Sequence, residues 1–101
     1  MSVYVKNLHG TSILQPTCKC FSWLEHWEVN KKTNAGAVCM SCGKYVGHSN
    51  LVGGHVIKWN SCDNKHYIVP ICRECNADPY NVFSTDEDNL VSANCSYCIN
   101  Q

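Results

Sequence analysis

The chain has 101 residues, eight basic and eight acidic side chains, and nine cysteines. That length bounds it to one domain over 1–101 with a modest core, to which an added staple is useful. The zero formal charge argues against a dedicated, non-specific nucleic-acid binder, which carries a basic excess.

Positions 3–8 alternate loosely between apolar and polar, which predicts a short edge strand. No apolar run there is long enough for a secretory leader, and no stretch approaches a membrane span, so a reducing cytoplasm is the expected compartment. In that setting paired thiols bind metal in preference to oxidising, and an odd cysteine count fits poorly with a closed disulfide set. Pro16 punctuates a loop, and C-K-C follows at Cys18 and Cys20. Ser22 with Glu25 three residues on is a capping-box start. Trp23, Leu24 and Trp27 then form an apolar stripe at helical spacing, an N-terminal amphipathic helix that turns its aromatics to the core. His26 on this helix reads as a surface or capping group, His9 and His48 as loop residues, and 30–36 as a polar loop.

The centre of the chain is C-M-S-C at Cys39 and Cys42 and C-R-E-C-N at Cys72 to Asn76. Two C-x2-C pairs separated by a hairpin-length span are the signature of a tetrahedral metal site, because a tight knuckle aims both sulfurs at one ion. Gly43 directly after the first pair suits the sharp turn this requires. Zinc held by Cys39, Cys42, Cys72 and Cys75 is the expectation, with a folding contribution on the order of 10 kcal/mol. The alternative is a set of buried thiols or disulfides. Between the pairs, 51–57 reads as a strand carrying His55, and Gly53-Gly54 within it marks a bulge or a close backbone approach. An Asn- and Asp-rich turn follows at 60–65, containing the unpaired Cys62, and then a strand over 67–71 ended by Pro70 and the second cysteine pair. A helix is expected after Cys75, limited by Pro79. Val82-Phe83 and Leu90-Val91 flank an acidic turn as a second hairpin. Cys18 and Cys20 before the centre, with Cys95 and Cys98 after it, offer a second zinc site that would clasp both ends of the chain. A disulfide such as Cys18 to Cys95, or free thiols, are the other readings of that set.

Knuckle, hairpin with a histidine in its first strand, then a cysteine pair opening a helix: this order resembles the treble-clef, ββα-metal architecture of the HNH endonuclease family, over 39–76. The matching runs are C-M-S-C, G-H-V-I and Y-I-V-P-I-C-R-E-C-N. The wider run, C-K-C-F-S-W-L-E-H-W, L-V-G-G-H-V and L-V-S-A-N, is similar to small uncharacterised microbial and phage proteins, a likeness that brings no activity with it. The resemblance implies an α+β treble-clef zinc domain. It also implies that His55 occupies the place of the nuclease's general base, which acts on water beside a divalent ion. The rest of the family's set departs here. Gly54 stands where an acidic residue is expected, Tyr67 where an orienting Asn is expected, and only Asn76, Asn81 or Asp78 is available in place of a late histidine. Asp63 and His66 on the intervening turn are substitutes poorly placed by a flexible segment. A zinc module with a degenerate catalytic set, binding a protein or nucleic-acid partner, is therefore the first expectation. A divalent-metal nuclease using His55 is the second. For His55 itself the other readings are packing beneath the hairpin with a hydrogen bond to a backbone carbonyl, or zinc ligation.

Overall fold

The computed structural model describes residues 2–8, 22–59, 62, 65–78 and 80–93. The described residues form a small α+β structure, with one antiparallel sheet and two short α-helices among them. Strands β1 (Ser2–Asn7), β2 (Leu51–Lys58), β3 (Tyr67–Cys72), β4 (Val82–Asp86) and β5 (Val91–Ser92) lie in the order β4-β1-β2-β3-β5, with helices α1 (Trp23–Lys31) and α2 (Arg73–Ala77) between them in the chain.

Helix α1 starts as its sequence requires. The Ser22 side chain accepts the Glu25 backbone N–H at 3.1 Å. The helix ends at Lys32, which adopts the left-handed conformation at φ 57° so that its N–H can close on the carbonyls of Glu28 and Val29. Leu24 and Trp27 are buried, and the Trp27 indole N–H donates to the Asn89 carbonyl at 2.8 Å. His26, expected at the surface, is 0 % exposed, with Nε2 2.8 Å from the Ser92 carbonyl oxygen. It sits on the helix face turned to the sheet, one residue before Trp27, where a ring that can satisfy a strand carbonyl is worth burying.

Strands β2 and β3 form the anticipated hairpin, paired from Leu51 with Cys72 to Val56 with Tyr67. Alternation along β2 sends Leu51, Gly53 and His55 to one face and Val52, Gly54 and Val56 to the other. Helix α1 covers the first face. It comes so close that a Cβ on Gly53 would stand 2.5 Å from Leu24 N and Trp23 C. The opposite face receives α2, and a Cβ on Gly54 would lie 3.3 Å from Asn76 Oδ1 and 2.5 Å from Ile71 Cδ1. The paired glycines thus serve two close approaches on opposite faces, with no bulge in the ladder.

Four expectations are corrected. The first strand is not an edge: β1 lies between β4 and β2, because the late strand β4 pairs along it from Ser2 with Asp86 to Lys6 with Val82 and takes the edge instead. Pro70 does not end its strand but pairs with Gly53 in the middle of it. Its carbonyl accepts Met40 N–H at 3.0 Å. In an extended strand a residue's N and O point to the same side, so the missing donor faces the first knuckle and not the ladder. The stretches around Phe83 and Val91 are strands but not a hairpin. They take the two opposite edges of the sheet. Finally, α2 begins at Arg73 and contains Cys75 in place of following it.

The edge-to-edge link has a geometric cost. A flat five-stranded sheet sets its outer strands roughly 19 Å apart, a gap that the few residues between Asp86 and Val91 could span only when fully extended. Residues Glu87–Asn89 instead wind one 3-10 turn. The sheet therefore curls; by the strand register its buried residues Val5, Val56, Val69, Ile71 and Phe83 lie on the α2 face, while Leu51, Ile68 and Val91 pack with Leu24 and Trp27 on the α1 face.

Candidate metal centre

The first knuckle is a miniature hairpin. Val38 and Tyr45 bridge, the Cys39 N–H donates to the Lys44 carbonyl at 3.0 Å, and the Gly43 N–H returns to the Cys39 carbonyl at 2.9 Å. Gly43 sits at φ 76°, so the turn needs the residue the sequence supplies. The second pair comes from a different device. Strand β3 delivers Cys72 to the N-cap position of α2, and the first turn of that helix brings Cys75 round beside it.

These two devices bring Cys39, Cys42, Cys72 and Cys75 together, with all four Sγ atoms within 4.8 Å of one another. Cys39 Sγ and Cys75 Sγ are 3.8 Å apart. Tetrahedral ligation at a zinc–sulfur distance of ~2.3 Å gives sulfur–sulfur edges of about 3.8 Å, so the residues present fit that ion. An all-sulfur donor set selects zinc or another thiophilic metal over hard cations such as magnesium. Cys39 is fully buried and Cys42 is exposed, so the centre lies at the surface with its inner half closed.

Backbone donors prepare the inner half for negative charge. Ser41, Cys42 and Cys72 all direct their N–H groups at Cys39 Sγ, at 3.3, 3.4 and 3.2 Å. Burial pushes the Cys39 thiol up, but the N–H groups of Cys42, Cys72 and Ser41 outweigh it and bring the thiol down to about 7. Cys75 moves the other way. Burial, joined by the neighbouring thiols, pushes it up to about 12. Burial likewise raises Cys72. With Cys39 eased toward the thiolate and Cys72 and Cys75 held protonated, the cluster would bind a dication with release of protons.

Two asparagines support the centre: Asn7, which the sequence does not single out, and Asn81, which it offers only as a stand-in for a late histidine. Asn7, at the end of β1 and 1 % exposed, aims Nδ2 at the carbonyls of Cys75, Asn76 and Asp78 at 3.4, 2.7 and 3.0 Å. It closes the carbonyl end of α2 from the neighbouring strand. Asn81 donates through Nδ2 to Ser41 Oγ at 2.9 Å and to the Cys75 carbonyl at 3.3 Å, linking the two knuckles. No spacing rule announces the Asn7 contacts or the Asn81–Ser41 link, which act across long sequence separations.

His55 is 5 % exposed and lies on the α1 face, its ring 4.6 Å from that of Trp23 and nearly perpendicular to it. The packing reading therefore holds, but the carbonyl hydrogen bond does not: both ring nitrogens are buried without a hydrogen-bond partner. Burial, with the charges of His66 and His26, lowers its pKa to about 4. Asn76 belongs to α2 on the other face of the ribbon, so His55 and that position do not converge. Nor does His55 join the four sulfurs. Cys18, Cys20, Cys95 and Cys98, together with Asp63, Pro79 and His9, lie outside the described residues. Cys62 is an exposed free thiol. Among the described residues, no helix is long and apolar enough to cross a membrane.

Compared with known proteins, the chain matches no family model, no curated protein and no solved structure.

Proposed function

We propose that this chain is a zinc-stabilised binding module, with a treble-clef core over 39–76 of HNH-like descent whose catalytic set has been lost. The convergence of four sulfurs from a turn-built knuckle and a helix-built knuckle carries this reading. When bound, zinc supplies a fixed tetrahedral crosslink between the 39–42 turn and the β3–α2 junction, and no open ligand position for chemistry. Support for a partner-binding role comes from the surface around the centre. Val38 and Tyr45, the bridging pair of the first knuckle, are both exposed, as is Tyr80 beyond α2. The partner is a protein or a nucleic acid, engaged by this rim of aromatic and apolar side chains around a rigid centre.

The second reading, a divalent-metal nuclease with His55 as base, draws on one observation: an unprotonated, unpartnered imidazole beside a cavity. Against it, the neighbours that a hard cation requires are missing, with Gly54 beside His55 and α2 on the far face. Elemental analysis of purified protein, paired with a plasmid-nicking assay in magnesium, manganese or nickel, separates the two. The binding-module reading expects at least one zinc per chain and no cleavage. Metal-free folded protein overturns the centre. Cleavage that disappears in His55→Ala overturns the binding-only reading.

A further inference from the structure

A cavity of about 340 Å³ opens between α1 and the β2–β3 hairpin, lined by Trp23, His55, Lys65, His66, Ser92 and Ala93. Two of these side chains carry buried polar atoms without a hydrogen-bond partner: the indole Nε1 of Trp23 and both ring nitrogens of His55. Leaving such groups unanswered costs about 1–3 kcal/mol each. The Trp23 and His55 rings meet nearly perpendicular, a contact that supplies neither ring with a hydrogen-bond acceptor oxygen. An orphaned set of this size points to an occupant.

The chemistry of the lining selects the occupant. Trp23 Nε1–H is a donor only, and can be satisfied by nothing except an acceptor. A neutral imidazole offers one further N–H. The exposed Lys65 and His66 stand at the mouth, and the His66 ring lies 6.0 Å from that of His55. Among the described residues, no carboxylate lines the cavity. Donors at the floor and cationic groups at the rim complement a small anion with several acceptor oxygens, and offer little to a metal ion that needs anionic ligands.

We propose that this cavity is a binding site for a small oxyanion, held by Trp23 Nε1–H and His55 at its floor and by Lys65 and His66 at its rim. The anion is the terminal group of a phosphate or a carboxylate ligand. The site lies on the α1 face, and the proposal stands whichever ion the four sulfurs hold.

The test follows the three indole N–H signals of the full-length, isotope-labelled protein during titration with inorganic phosphate, and separately with acetate, at an ionic strength held constant with sodium chloride. Trp27, already bonded to Asn89, and the exposed Trp59 serve as internal controls. The proposal expects the Trp23 signal to move saturably while the other two stay in place. Tighter saturation by phosphate identifies a phosphate ligand, and tighter saturation by acetate a carboxylate. His55→Phe should weaken binding about tenfold. The exposed Lys65→Ala and His66→Ala, which leave the core intact, should each weaken it about threefold. A Trp23 signal that does not saturate with either anion, or that chloride moves equally, overturns the proposal. So does saturation that Lys65→Ala and His66→Ala both leave unchanged. A response of the His55 ring signals to added nickel but to neither anion overturns it in favour of a second metal site.

Discussion

Among the described residues, the four-sulfur centre and the Trp23–His55 cavity are built in opposite ways. At the four-sulfur centre each ligand has a local device: Gly43 turns the first pair, the β3–α2 junction turns the second, and three backbone N–H groups face Cys39 Sγ. At the Trp23–His55 cavity two rings from distant elements pack tightly, yet three of their polar atoms are left without partners. The first cluster is laid out as a metal-held crosslink between the 39–42 turn and the β3–α2 junction would be. The second is carried by the fold, at a cost that a bound group would repay.

Removing ligands from the first cluster tests that contrast most severely. Cys39→Ser, or stripping metal with a chelator, should unfold the chain outright, since structural zinc is worth on the order of 10 kcal/mol to so small a core. Circular dichroism with and without restored zinc reads the loss. A milder break targets the wall of the second cluster. Gly53→Ala pushes a methyl into the α1 backbone at 2.5 Å, and should lower stability by about 3 kcal/mol in urea titrations while leaving zinc content unchanged. Equal loss of zinc would mean that the two regions are not separable.

Acid sharpens the comparison further. His55 titrates near 4 in the folded chain against 6.5 unfolded, so between those values the unfolded state binds more protons and stability falls as pH falls. The stability is whole above about pH 6.5, and about 2 kcal/mol of it should be gone by pH 5. His55→Gln should flatten that slope, measured as the difference from the parent so that acid effects on the sulfurs cancel. The smallest effect lies outside both clusters. Lys32→Gly relieves a left-handed residue at the end of α1, and should raise stability by about 1 kcal/mol without touching either site.

The sequence made the first cluster legible and left the second hidden, for a physical reason. Ligand spacing in C-M-S-C and C-R-E-C is a local property, and so are the Ser22 cap and the stripe of Trp23, Leu24 and Trp27. Each could be read over a few residues. What could not be read was partnership across the sheet. The two late strands looked like a hairpin because they are near neighbours in sequence, yet each found a better edge elsewhere. His26 looked superficial because a histidine on a short helix usually is. Only the approach of β5, with the Ser92 carbonyl, gives its ring a place inside. Pro70 looked like a terminator because its missing donor matters in a ladder, and only the position of the first knuckle shows that the donor's side faces away. Gly53 and Gly54 were an intermediate case. A close approach was foreseeable, but not that each glycine serves a different face.

Asn7 has a consequence for how the ends of the molecule communicate. One amide at the start of the chain grips the three carbonyls that finish the helix bearing Cys75, so the earliest strand has a direct hand on the latest ligand. Loss of the ion should then be felt at once by residues more than sixty positions away. Deuterium uptake along β1 would report an empty centre before the hairpin itself had opened.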